Sequence, residues 1–397
     1  MMYLCFWLSL TGLFYTHVGY LLVMLVLAKW RSRSAVSTSL ACEANSVSVC
    51  VVVAAHNEEQ RIRTRIGNIL ASDYPADLLS VVVVSDGSTD GTFNAVSSYP
   101  NPRVTAVRQE LRSGKAVCLN EAMNRVAAEI TVFADSRQDF APDAIRVLVR
   151  AFQDPRVGAV SGSLGIRSAE STLGRGVDVY WRMEKKLRET ESSFDSCIGC
   201  TGAIYAIRSR LFSEVPPGLI LDDVVIPMRI AVQGYRVLFE PGAVAWDNQS
   251  LEPQRERMRK RRTLAGNFQM LTLFPTWLGP GKNRLWWQLL SHKYLRLLGP
   301  LFLVGLLAST IALRGETFYG IMLSGQVCFY GAALAGVLLS HKSRITSIAS
   351  GFVFLNWMVI EGFWQFLVRN DSKGWDRFPA AAESSQAIQP DVRTLNR

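Results

Sequence analysis

Val81-Val82-Val83-Val84-Ser85-Asp86-Gly87-Ser88-Thr89-Asp90 is the stretch that decides how this chain folds. The apolar and small residues from Val81 to Ser85 read as a buried parallel strand. An Asp at the carboxyl end of such a strand sits where open α/β sheets bind ligands. Asp86 there can accept hydrogen bonds from a nucleobase or ribose. Gly87 lets the backbone turn tightly, and Asp90 can cap the next helix. Taken alone, the stretch is equally a capped turn with no ligand. An earlier apolar run, 47–55, ends in a comparable turn, His56-Asn57-Glu58-Glu59.

Working outward, strand and helix signals alternate. Residues 47–55, 80–85, 104–107 and 130–134 read as strands, and 58–71 and 114–128 as helices. This order predicts a mostly parallel sheet with helices on its faces, an α/β domain over 47–283. The polar, small-residue segment 31–46 reads as a linker and 369–397 as a polar tail.

Hydrophobic residues make up 49% of the 397, which is high for a soluble enzyme, and they are unevenly placed. Residues 4–28 carry no Lys, Arg, Asp or Glu and are long enough to cross a bilayer, giving a membrane helix within 1–30. Lys29, Arg31 and Arg33 follow, so that flank is expected in the cytoplasm. Three more apolar segments, 297–313, 318–339 and 345–368, are expected to form a membrane region over 297–368. His341, Lys342 and Arg344 lie in a basic turn between the last two. The preceding segment, 284–296, mixes Trp286, Trp287 and Leu289 with basic residues, as a helix lying in the headgroup plane would. An amphipathic core helix is the alternative.

The net charge of +10 suits an anionic membrane face or acidic substrates. Finger-type Cys/His spacing is absent and the aromatic residues gather in the membrane segments, so nucleic acid is not the expected partner. Cys197 and Cys200 form a single CxxC with no second pair and no nearby His, weak grounds for zinc or redox chemistry.

Four further features can carry chemistry. Asp135 ends the strand 130–134, where a carboxylate can hold Mg²⁺ or Mn²⁺ against a diphosphate. Lys115, after Gly114 at a helix start, can meet a phosphate, or be a solvated lysine. Asp222 and Asp223 open a helical run. They are either helix-capping acids or the source of a general base for a hydroxyl nucleophile. The basic run from Gln254 to Arg262 is either a solvated face or a clamp on a departing diphosphate.

In this order, these residues resemble a membrane-bound family 2 glycosyltransferase of the GT-A fold, similar to the hyaluronan, cellulose and poly-N-acetylglucosamine synthase branch. The motifs are Ala55-His56-Asn57-Glu58-Glu59, Asp86-Gly87-Ser88-Thr89-Asp90, Gly114-Lys115-Ala116, Gly199-Cys200-Thr201-Gly202-Ala203, and Asp222-Asp223 with Arg229 and Gly234-Tyr235. The resemblance implies a Rossmann-like domain and an inverting transfer from a nucleotide-sugar, expected to be UDP-linked, to a saccharide or lipid-linked acceptor. It implies Asp223 as the base. Asn57, Glu58, Asp86 and Lys115 are implied at the nucleotide, and Asp222, Gly202, Gln254 and Arg257 around acceptor and diphosphate. Asp135 is implied at a divalent cation. It further implies an integral inner (plasma) membrane protein with its catalytic domain in the cytoplasm. Two departures stand out. Arg137 occupies the second acid position of the family's Asp-x-Asp, and Met258 replaces the Trp of Gln-x-x-Arg-Trp. The first leaves the metal with fewer protein ligands or has Arg137 itself neutralise phosphate charge, and the second puts long processive synthesis in doubt. A catalytically decayed membrane scaffold and single-sugar transfer to a lipid carrier are the alternatives to polymer synthesis.

Overall fold

The computed structural model describes residues 1–32, 47–166, 174–247, 253–339 and 343–368. Most of the expected linker, the basic pair His341 and Lys342, and the expected tail lie outside the described residues.

Eight strands are described: β1 Val49–Ala55, β2 Leu79–Asp86, β3 Val104–Gln109, β4 Ile130–Ala134, β5 Asp139–Phe140, β6 Val157–Ile166, β7 Ile204–Arg208 and β8 Arg236–Asp247. They form one sheet in the order β3-β2-β1-β4-β7-β6-β8-β5. Strands β1 to β4 are mutually parallel. β1 is buried along its whole length, so both faces select apolar side chains and the sequence shows an unbroken run. Alternation still decides the face. Cys50, Val52 and Ala54 join one core, whereas Val49, Val51, Val53 and Ala55 join the other.

Beyond β4 the sheet becomes mixed. β7 runs antiparallel to both β4 and β6, β6 is parallel to β8, and β5 is antiparallel to β8. The expected mostly parallel sheet therefore describes β1–β4, and the second half departs from it. The reversal has a positional cause. Ile204 opens β7 opposite Ala134, the last residue of β4, so the loop before β7 enters at the same sheet end as Asp135.

Among the described residues, three helices are long and apolar enough to cross a membrane: Met2–Trp30, Thr317–Leu338 and Arg344–Val368. The expected span at 297–313 is instead the helix Gly299–Ala312, 14 residues long. That is short of the about 20 residues a crossing needs. It meets the preceding helical stretch, Trp286–Leu297, at 59°, so the two together make at most one broken span. The segment expected in the headgroup plane turns inward to the domain. Leu285, Leu289, Tyr294 and Leu297 are buried in the same core as β1 and β7 residues.

Candidate active site

The turns after β1 and β2 are sewn together by side chains. Asn57 takes φ 54°, a left-handed conformation that Asn tolerates better than most residues. Its Oδ1 accepts from the Thr89 amide at 2.9 Å, and its own amide donates to Ser88 Oγ at 3.2 Å. The Glu58 amide donates to Thr92 Oγ1 at 2.8 Å, and Glu58 Oε1 accepts from Ser136 Oγ at 2.9 Å. Asp90 Oδ1 accepts from the Thr92 amide at 3.0 Å, but the residue at the cap of the Thr92–Ser97 helix is Gly91, so Asp90 stands one residue before the capping place the sequence predicts.

Asp86 is fully buried, and both carboxylate oxygens are engaged. Oδ1 accepts from the Ser113 amide at 2.6 Å and Oδ2 from the Gly114 amide at 2.9 Å. In this state Asp86 shapes the 111–114 loop that launches the Lys115 helix. Gly87, at φ +55°, lies so close to the Arg112 backbone that a Cβ there would collide with it.

The acidic residues converge around Lys115. Its Nζ lies 3.2 Å from Asp135 Oδ1 and 3.1 Å from Asp222 Oδ2. The three side chains are 14%, 36% and 4% exposed for Lys115, Asp135 and Asp222, so only Asp135 keeps an open face. Burial pushes the Lys115 ammonium down, but Asp135, Asp222 and Asp223 more than offset this and hold its pKa above the ordinary value. Burial alone would raise the Asp135 carboxyl. The charges of Lys115, Arg137 and Arg259 outweigh it and hold that pKa below the usual range.

Asp223 differs from its neighbours. Its Oδ2 accepts from the Gly202 amide at 3.1 Å, and its backbone carbonyl accepts from the Cys200 amide at 2.7 Å. Burial first, and then the Asp222 carboxylate, push its pKa up to about 6, against the pull of Lys115, Arg188 and Lys293. A carboxylate near that value can take a proton at neutral pH. The Tyr205 hydroxyl is buried close by and is unpartnered in the structure.

The basic run divides by helical geometry. At 100° per residue, Arg257 and Arg261 share one face of the Pro253–Leu273 helix, and Arg259 points about 200° away from Arg257. Arg257 pairs with Glu361 of the last helix, and Arg261 lines the same groove. Arg259 is the one whose charge reaches Asp135. Gln254 is exposed. Sequence reading thus named Arg257 and missed Arg259, although the i, i+2 spacing carried the signal. It also missed Arg188, which acts on Asp223 from the distant Gly174–Phe194 helix. Phe268, a conceivable sugar platform, is engaged with Phe363 and Phe366 at ring-centroid distances of 5.1 and 6.1 Å. The CxxC cysteines are free thiols buried in the core, and burial pushes Cys197 up to about 12.

A half-parallel sheet with two stitched turns at its carboxyl end, and a cation-bridged carboxylate group beside them, defines a GT-A type transferase. The chain belongs to the family described as "Glycosyltransferase like family 2", whose model matches residues 46–266. Among curated proteins it is similar to a poly-beta-1,6-N-acetyl-D-glucosamine synthase of Staphylococcus epidermidis, 22% identical over 204 residues. The corresponding synthase of Staphylococcus aureus is 24% identical over 205 residues. Each match covers 50% of this chain and 49% of the relative, so the chain aligns with about half the length of these synthases. Among solved structures it is similar to a mannosyltransferase from Pyrobaculum calidifontis in complex with GDP-Man and Mn²⁺. That likeness has a TM-score of 0.67 at 25% identity and covers 92% of this chain and all of the other.

Proposed function

We propose that this glycosyltransferase moves one sugar from a nucleotide-sugar to a hydroxyl of a saccharide or lipid-linked acceptor, with inversion. Asp223 takes the hydroxyl proton as that oxygen bonds to the anomeric carbon. The bond from that carbon to the diphosphate breaks, and the nucleoside diphosphate departs with the electron pair. The observation that carries this reading is Asp223 itself, a carboxylate raised to about 6 and aimed by the Gly202 amide. Lys115, Arg137 and Arg259 gather positive charge beside Asp135, where the departing diphosphate needs it. The stitched turns at Asn57, Glu58 and Asp86 form the nucleotide floor.

The residues present fit a divalent cation held sparsely. No cluster of three acidic, His or Cys ligands occurs among the described residues. Mg²⁺ commonly uses only one or two carboxylates together with substrate phosphates. The partly exposed carboxylate of Asp135 would hold Mg²⁺ or Mn²⁺, which would neutralise charge on the diphosphate.

UDP is the donor nucleotide implied by the synthase relatives. GDP-mannose is the second reading, because the mannosyltransferase that carries it aligns with nearly the whole chain rather than half. The same asymmetry, with Met258 in the Trp position, favours short products over long polymer. The same reading has the catalytic domain face the cytoplasm, and Lys29 and Arg31 at the end of the first apolar helix support it. Purified full-length protein offered a panel of nucleotide-sugars, with released nucleoside diphosphate as the readout, tests the reading. Turnover of one or a few donors is expected. Binding without turnover of any donor would leave the scaffold alternative.

A further inference from the structure

A second set of buried charges lies away from the diphosphate end. Glu191 is fully buried and accepts from Tyr20 Oη at 2.7 Å and from the Ile198 amide at 3.2 Å. His292 is also fully buried and stands between two carboxylates. Its Nδ1 is 3.0 Å from Glu191 Oε1 and its Nε2 is 2.9 Å from Glu184 Oε1. Carboxylates only accept, so the doubly protonated ring is the form that donates to both. Glu184 also accepts from Arg296 at 2.9 Å and pairs with Arg188 at 3.4 Å. Arg188 in turn donates to Thr201 Oγ1 at 2.9 Å.

These residues come from three places. Tyr20 is on the first membrane helix, and His292 and Arg296 lie just before the bent helix pair. Glu184, Arg188 and Glu191 sit on the helix between them and the sheet. Two of them reach the 198–202 loop, Glu191 at the Ile198 amide and Arg188 at Thr201, on one side. On the other side, Cys200 and Gly202 donate to Asp223. Buried ions are costly unless every partner is present, so such a chain fixes geometry better than it adds stability.

We propose that Arg188 is a positioning residue for Asp223, and that the chain Tyr20–Glu191–His292–Glu184–Arg188 ties the membrane helices to the loop that holds that carboxylate. The proposal rests on Asp223 being the base. Arg188 acts in two ways. It pins Thr201, next to the amide that aims Asp223, and its charge favours the ionised carboxylate. The other charged or titratable groups around Asp223 are Asp222, Lys115, Lys293, Tyr205 and Cys200; the charge of Lys293 also reaches Glu184 and Glu191, whereas Arg188 is the group bonded both to Glu184 and to Thr201.

The test uses full-length protein and compares Arg188→Gln, Arg188→Lys, Thr201→Val and Tyr20→Phe. For Arg188→Gln, kcat at pH 7 should fall about tenfold and its acid limb should move up by roughly one pH unit, as loss of a nearby opposite charge implies. KM for the donor should change little, because the bonds of the loop run to Glu191, Arg188, Ser161 and Asp223 and not to the β1 and β2 turns. Arg188→Lys should restore the acid limb. Thr201→Val keeps the charge but cuts its tie to the loop, and should lower kcat at unchanged donor KM even if Arg188→Gln fails to fold. Tyr20→Phe should do the same more weakly. A wild-type kcat in Thr201→Val, or a loss in Arg188→Gln that falls on donor KM, would overturn the positioning role. Wild-type kcat in Tyr20→Phe would overturn the membrane tie. Asp223→Asn is measured alongside. If it stays active the base assignment fails, and if it is dead while the others match wild type, only the present inference fails.

Discussion

The two halves of the sheet are built on different principles. In β1–β4, each functional turn follows its strand directly and is held by neighbours from the next turn, as Asn57 is by Thr89. From β6 to β8, the functional groups depend in addition on partners from helices outside the sheet. Asp223 is aimed by Gly202 and influenced by Arg188, and the loop between them is fixed by Glu191 and, through it, His292. On the proposed reading, the first half is the nucleotide floor and the second a reaction centre whose geometry depends on the candidate membrane helices. Substitutions in the two halves should therefore fail differently.

The largest effect is expected at Asp223. Asp223→Asn should lower kcat by about 10²–10⁴-fold, the usual worth of a base, with nucleotide affinity retained in a direct binding measurement. Its stability should move the other way. A carboxyl with a raised folded pKa binds protons more tightly folded than unfolded. Its ionised form therefore opposes folding fully above about 6, and that penalty fades as pH falls from there towards the ordinary carboxylate value. Asp223→Asn should then have a Tm at pH 7.5 no lower than wild type, and a clear fall would mark the side chain as structural.

Lys115→Met comes next. It leaves Asp135 and Asp222 without the ammonium between them. The expected loss is about 3 kcal/mol, the low end for a broken buried pair because Asp135 is partly solvated. A denaturation midpoint at wild type would show that water replaces the ammonium freely.

Smaller effects belong to the nucleotide floor. Gly87→Ala places a Cβ against the Arg112 backbone at positive φ, and should cost about 1–3 kcal/mol and weaken nucleotide binding. Asn57→Gly keeps the left-handed turn but loses the bonds to Thr89. It should cost about 1 kcal/mol and raise donor KM with little change in kcat. Should kcat fall more than donor affinity in Asn57→Gly, the division between the halves would be wrong.

The same contrast explains what the sequence could reveal. The strand from Val81 and the one beginning at Val49 are buried on both faces, so burial prints an unbroken apolar run. The turns after them use Asn, Asp, Gly and Thr to bond one strand end to the next, and these residue types just past an apolar run are readable. β7 and β8 are short or partly exposed and print weaker patterns. Nothing near Asp223 in the sequence announces Arg188, 35 positions earlier, because a buried ion contact leaves no periodicity. Arg259 is hidden among five basic neighbours, where only the helix phase separates its face from that of Arg257. The bend before Gly299 was equally hidden, since hydropathy registers apolar length and not direction.

The central claim is that Asp223 works as a base whose acidity is set by its burial beside Asp222. The pH dependence of kcat for the wild-type protein, with saturating donor and acceptor, tests it most directly. The account predicts full activity at pH 7.5, half of it lost near pH 6, and about tenfold less for each unit below. A kcat that stays flat to pH 4.5 would contradict it.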